Sequence, residues 1–144
     1  MNKVVKLNLH IFSQNAQLGM DFIPIIGQHG INLKNFCDEF NNMTSVIHKG
    51  FLLRLTVIIN KNKTFIIKMK GIHLPFLIKY IIGENQKKIS KYQLYIIFSI
   101  IFEFNQLFDI DLPKDIIFIN VLDKLEKLNI DIVDELSETE EFLE

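Results

Sequence analysis

The hydrophobic period of this chain changes from that of a strand to that of a helix and back within its first half. Lys6, Asn8 and His10 alternate with Leu7, Leu9 and Ile11, the two-residue repeat of a strand with one face buried. Loop signals follow over Ser13–Gly19. Asn32 is the residue type that caps a helix N-terminus, and after it Leu33, Phe36, Cys37 and Phe40 recur at i, i+3, i+4 and i+7, one face of a helix. Two strand-like runs, Phe51–Ile59 and Thr64–Lys70, are joined by the polar Asn60-Lys61-Asn62-Lys63 and predict a hairpin. A further helix fits Leu74–Ile82, with Pro75 tolerated in its first turn. These periods allow only short elements, hence a small sheet packed by helices.

The second half keeps the helical period. Ser90-Lys91-Tyr92-Gln93 is a capping-box pattern opening a helix through about Phe104. Pro113 suits the first position of a last helix ending near Asn129, and Ile130–Val133 is extended or loop. From Asp131 to Glu144 there are seven acids and no base, so that tail alone should be disordered. The expected class is α+β: an N-terminal α/β domain with a small sheet, followed by a small all-helical C-terminal domain.

A formal net charge of −1 hides two opposite halves. Residues 1–83 carry nine Lys and Arg54 against three acids, a net +7, whereas residues 84–144 carry six Lys against fourteen acids, a net −8. Such asymmetry predicts a domain boundary and two kinds of partner. It suggests an N-terminal domain over 1–83, a polar linker over 84–91 and a helical domain over 92–144. Several function classes drop out. One cysteine, Cys37, excludes an internal disulfide, and four scattered histidines supply no zinc quartet. No P-loop, nucleophile elbow or metal-ligand cluster is present, so no enzyme, cofactor or metal is expected. No apolar run approaches the ~20 residues of a membrane helix.

Composition adds a hint of origin. The chain has 25 Ile, 15 Lys, 13 Phe and 13 Asn but one Arg, the usage expected of an AT-rich genome. Met1-Asn2-Lys3-Val4-Val5 runs straight into strand-like alternation, without the features of a presequence or signal peptide. The expectation is an organelle-encoded protein, mitochondrial ahead of plastid, with an AT-rich bacterium as the alternative.

The segment Gly27-Gln28-His29-Gly30-Ile31-Asn32-Leu33-Lys34-Asn35-Phe36-Cys37-Asp38-Glu39-Phe40-Asn41 closely resembles the signature G-Q-H/Q-G-V-N-I-M-E-F-C-K-x-F-N of the eleventh large-subunit ribosomal protein family. Its sequel appears in order: Thr44, His48-Lys49-Gly50, Lys63-Thr64-Phe65, Lys70, Lys79 and Gly83, then Ile89-Ser90-Lys91-Tyr92-Gln93-Leu94 where the family opens its C-terminal domain. The similarity covers roughly residues 3–94. The resemblance implies a non-enzymatic constituent of the large ribosomal subunit at the stalk base. Its N-terminal α/β domain would face translation elongation GTPases and the tip of the stalk-base rRNA, and its C-terminal domain would grip that rRNA beside stalk ribosomal proteins. It places Pro24, Gly27, Gln28, His29, Gly30 and Asn32 at the rRNA–factor cleft. It also places Lys87, Lys88, Ser90 and Lys91 at the RNA-contacting opening of the second domain, helped by Lys124 and Lys127.

Plainer roles stand beside these. Gly27 and Gly30 permit a tight helix-to-helix turn. Cys37, on an apolar helix face, packs in the core. Lys61 and Lys63 are solvated, or join Lys68 and Lys70 in a basic face that neutralises phosphate. The chain also departs from the family. Leu18–Ile23 replaces the paired prolines before the glycine turn, Ile72-His73 replaces a second pair, and Asp123–Asn129 replaces G-T-A-R-S-M-G, with Glu126 where the arginine stands. Part of the RNA grip is therefore expected to be weakened. The helix Tyr92–Phe104 is apolar nearly all round. Either Asn105–Leu112 folds over its second face, or an organelle-specific protein neighbour docks there, with the acidic tail pairing to basic residues of a partner. The alternative to a ribosomal role is an off-ribosome interaction protein that kept the N-terminal fold.

Overall fold

A computed structural model describes residues 4–134; the acidic tail from Glu135 onward lies outside the described residues. The chain divides into two compact units, Met1–His73 and Leu74–Glu144.

In the first unit, strands β1 (Val5–Phe12), β2 (Leu52–Ile59) and β3 (Phe65–Ile72) form an antiparallel sheet in the order β1-β2-β3. Alternation sends Leu9, Ile11, Leu53, Leu55, Val57, Ile67 and Met69 into the core. Helices α1 (Ile23–Gly27) and α2 (Leu33–Met43) supply Ile23, Ile26, Phe36, Cys37 and Phe40 to it. The Phe36 ring packs against Phe65 of β3 and against Phe22 ahead of α1, at centroid distances of 5.6 and 6.0 Å. Between Arg54 and Leu55 the β2–β3 register slips, because Arg54 pairs with Gly71 while Leu55 pairs with Met69. The extra residue is Lys70, and the bulge carries β3 on to Ile72, beyond the expected end of the run.

The loop after β1 is tied down by polar side chains rather than by apolar ones. The Ser13 hydroxyl donates to the His48 carbonyl and accepts from the Phe51 N–H at 3.1 Å. Thr44 Oγ1 accepts the Gln14 N–H at 2.9 Å, and the Asn41 amide exchanges two hydrogen bonds with the Ala16 backbone. Ser13 and Thr44 can therefore be buried without leaving a polar group unpaired.

The second unit contains helices α3 (Leu74–Ile82), α4 (Lys91–Leu107) and α5 (Lys114–Lys127). Its core is Leu77, Ile78, Ile82, Ile89, Leu94, Ile97, Phe104, Ile117, Val121, Leu125 and Ile130. The α4 capping box is present: Ser90 Oγ accepts the Gln93 N–H at 3.1 Å, and Gln93 Oε1 accepts the Ser90 N–H at 3.0 Å. Pro113 is the N-cap of α5 rather than its first residue, so the helix starts one residue later than expected.

Two further details differ from expectation. Residues 84–91, read as a linker, contain strand β4 (Lys88–Ser90), which pairs in parallel with β5 (Asp131–Val133) in register Lys88↔Asp131, Ile89↔Ile132 and Ser90↔Val133. The helical unit thus carries a two-stranded addition, and the first residues of the acidic tail are ordered by it. Helix α3, grouped by charge with the basic half, packs with α4 and α5. Charge reports on the surface, whereas the buried Leu77, Ile78 and Ile82 decide which unit α3 joins.

The apolar circumference of α4 divides between several neighbours. Leu94, Ile97 and Phe104 enter the core. Phe98 stacks on Phe118 of α5 at 5.2 Å, and Phe108, just past α4, packs on Phe104 at 4.7 Å. Tyr92, Tyr95 and Leu107 stay exposed. No helix among the described residues is long and apolar enough to cross a membrane.

Candidate functional site

The glycine turn is built by two helices that nearly abut. Pro24 occupies the first turn of α1, where a missing N–H costs nothing. The Gln28, His29 and Gly30 N–H groups donate to the carbonyls of Pro24, Ile26 and Gly27 at 3.2, 3.1 and 3.0 Å, winding α1 down into a tight turn. Asn32 then caps α2, its Oδ1 accepting the Asn35 N–H at 3.1 Å. Gly27 lies against Leu33, whose Cδ1 is 3.4 Å from where a Cβ would sit.

Gly30 has a different reason to be glycine. Its φ is +78°, and the Lys63 Nζ lies 3.1 Å from its missing Cβ. Gly30→Ala should cost about 1–2 kcal/mol through the left-handed backbone. The lysine tip can swing aside, so adding Lys63→Ala should recover little of that loss. A double-mutant cycle by denaturant unfolding checks this, and full recovery would assign the cost to the lysine instead.

The six residues expected at the cleft are thus contiguous on one turn, but not equally presented. Pro24, Gln28, Gly30 and Asn32 are exposed, while Gly27 and His29 are half-buried. His29 Nε2 is buried with no hydrogen-bond partner among the described residues. Lys63, from the β2–β3 turn, is expected from sequence to be solvated or part of a basic face, not part of this turn. Only the fold, which brings residue 63 beside residue 30, reveals the connection. Cys37 behaves as a core residue: burial first, and the neighbouring Asp38 second, push its thiol up.

The second cluster gathers where β4 meets the end of α5. Lys87 Nζ donates to the Leu128 carbonyl at 3.2 Å, capping the α5 C-terminus with a positive charge. Lys124 and Lys127 lie in that last turn, so Lys87, Lys124 and Lys127 converge on one helix end. Ser90 does not join them as a surface group. It is buried, and its hydroxyl oxygen is used by the α4 cap.

Two of these lysines already face carboxylates. Lys91 Nζ is 2.7 Å from Asp134, and Lys127 is 3.0 Å from Asp123 one helical turn earlier. The hydrogen bond to Lys91, and then its charge, hold the Asp134 carboxyl below the usual carboxylate range, and the same contact raises Lys91. A depressed carboxylate contributes above its ordinary range and loses that contribution as pH falls through the lowered value. A raised lysine contributes below its ordinary range and loses it only as pH rises through the raised value. The pair should therefore persist across neutral pH. A side-chain carboxyl NMR titration should place the Asp134 midpoint lower in the wild type than in Lys91→Gln; equal midpoints would refute the pairing.

Residues 7–65 match the family model described as "Ribosomal protein L11, N-terminal domain". The chain is 33% identical over 73 residues to the "Large ribosomal subunit protein uL11" of Rickettsia akari (strain Hartford), covering 51% of this chain and 50% of that protein. The protein of the same name from Rickettsia felis (strain ATCC VR-1525 / URRWXCal2) matches with the same identity and coverage. The chain thus spans about half the length of the curated relatives it matches. The family match takes in β1 from Leu7, both helices of the glycine turn, β2 and Phe65, the first residue of β3. Residues 7–65 of this chain are thus similar to the N-terminal domain of the ribosomal protein L11 family.

Proposed function

We propose that the protein is a structural, non-enzymatic constituent of the large ribosomal subunit that binds large-subunit rRNA and supports the docking of translation elongation GTPases. The observation that carries this reading is the family match over 7–65, centred on an intact glycine turn with Pro24, Gln28, Gly30 and Asn32 exposed. In this reading the turn faces the rRNA–factor cleft beside the stalk proteins. Lys87, Lys88 and Lys91, with Lys124 and Lys127, supply phosphate contact from the second unit, and Ser90 positions them by capping α4. Exposed Tyr92 and Tyr95 on α4 are where an organelle-specific neighbour would dock. The Ile, Lys, Phe and Asn bias supports a mitochondrial ribosome.

Sedimentation tests the reading. The protein should co-migrate with large subunits through a high-salt wash, and Gln28→Ala with His29→Ala should slow factor GTP turnover on those particles without preventing incorporation. The net −8 of residues 84–144 favours the alternative, an off-ribosome interaction protein. Absence from the particle fraction would establish that alternative.

A further inference from the structure

The face of the three-stranded sheet turned away from α1 and α2 presents the alternate residues of each strand. They are Lys6, Asn8, His10 and Phe12 on β1, Leu52, Arg54, Thr56 and Ile58 on β2, and Ile66, Lys68 and the bulge residue Lys70 on β3. The register sets Asn8, Thr56 and Lys68 in one cross-strand row, and His10, Arg54 and Gly71 in the next. Lys6, His10, Arg54, Lys68 and Lys70 are all exposed, and the three strands contain no acidic residue. None of Lys6, Arg54, Lys68 and Lys70 forms an ion pair among the described residues.

The centre of this face is organised. Gly71 has φ +151°, and the Arg54 Nη2 lies 3.0 Å from the position a Cβ would take there. Glycine thus lets the guanidinium lie flat over the β3 backbone. Beside it the His10 and His73 rings meet edge to face at 5.0 Å. Thr56 donates to Asn8 Oδ1 at 2.8 Å, fixing the row between Lys6 and Arg54. Asp21 lines a cleft along the β1 edge with Asn8, His10 and Phe12.

We propose that this open sheet face is an RNA-binding surface of its own, separate from the glycine turn and the β4 lysines, and that it holds a phosphate backbone without reading bases. A protein-docking patch concentrates apolar and aromatic groups at its centre and keeps charges to the rim. Here the order is reversed: Ile58 and Ile66 lie in the row at one end and Phe12 and Leu52 in the row at the other, while the rows between them carry Asn8, Thr56 and Lys68, then His10 and Arg54, with Lys70 at the bulge. Dispersed cations with no interleaved acid suit a polyanion, and lysines neutralise phosphates without sequence preference. The choice of RNA among polyanions rests on the ribosomal reading above.

The test uses the full chain and a labelled oligouridylate, followed by anisotropy across a salt series. The variant combines Lys6→Gln, Arg54→Gln, Lys68→Gln and Lys70→Gln, all exposed positions, with circular dichroism to verify the fold. Its log–log salt slope should be shallower than the wild type's by roughly 3, the loss expected for four single-strand phosphate contacts. An unchanged slope in the fourfold variant overturns the proposal, as does an absence of RNA binding by the full chain. Displacement of the RNA by polyglutamate at equal charge would also overturn it, assigning the face to an acidic protein. Wild-type sedimentation, scored separately, distinguishes the two readings: co-migration with an unchanged slope sinks only the sheet face, whereas absence from the particle sinks the ribosomal reading.

Discussion

Phe36→Ala should remove about 3–5 kcal/mol of stability from the N-terminal unit, the usual cost of deleting a fully buried aromatic side chain. Phe36 has no solvent exposure, and its ring touches residues on both sides of the glycine turn, Phe22 before α1 and Phe65 at the start of β3. Truncation leaves a cavity that α2 cannot collapse into without moving Asn32 and the turn it caps. Small domains have only about 5–15 kcal/mol in total, so the variant should be marginal. Denaturant unfolding with a probe in this unit measures the loss. A decrease below about 1 kcal/mol would mean that the ring does not hold α2 on the sheet.

Ile89→Ala is expected to cost the second unit about 2–5 kcal/mol, and Ile89→Val only about 0.5–1.5. Ile89 is fully buried, between exposed Lys88 and the capping Ser90. Its side chain therefore anchors the strand that carries the basic cluster. The Asp131 N–H, which donates to the Lys87 carbonyl at 2.8 Å, should lose much of its protection against hydrogen exchange in the alanine variant. Unaltered protection there would show that β4 is held by its hydrogen bonds rather than by this side chain.

What could be read from the sequence was local. Asn32, the Ser90–Gln93 capping box, Pro75 in the first turn of α3 and the hairpin turn at 60–63 act on neighbours within one turn of chain, so residue type alone reveals them. Helix α1 escaped separate notice because its five residues are too few to show a helical period. The pairing of β4 with β5 left no mark either, since three-residue strands far apart in sequence show neither alternation nor a joining turn. Site residues divide the same way. Gly30 and Asn32 were legible through backbone requirements that a residue type reveals. The burial of the Ser90 hydroxyl, the approach of Lys63 to Gly30, and the partnering of Lys91 by Asp134 depend on tertiary placement.

The β4–β5 pair also orders events in time. Parallel strands cannot be joined by a tight turn, and here the connection between them is all of α4 and α5. The bond from Lys87 to Leu128 likewise spans 41 residues. Contacts of such separation form only after the intervening chain has closed its loop, which slows them relative to the helices themselves. A growing chain would therefore complete its helices while the lysine-bearing strand still lacked its partner. The segment that ends up clasping the unit is the last of its described elements to be synthesised, and a nascent chain stalled before residue 131 would leave β4 unpaired.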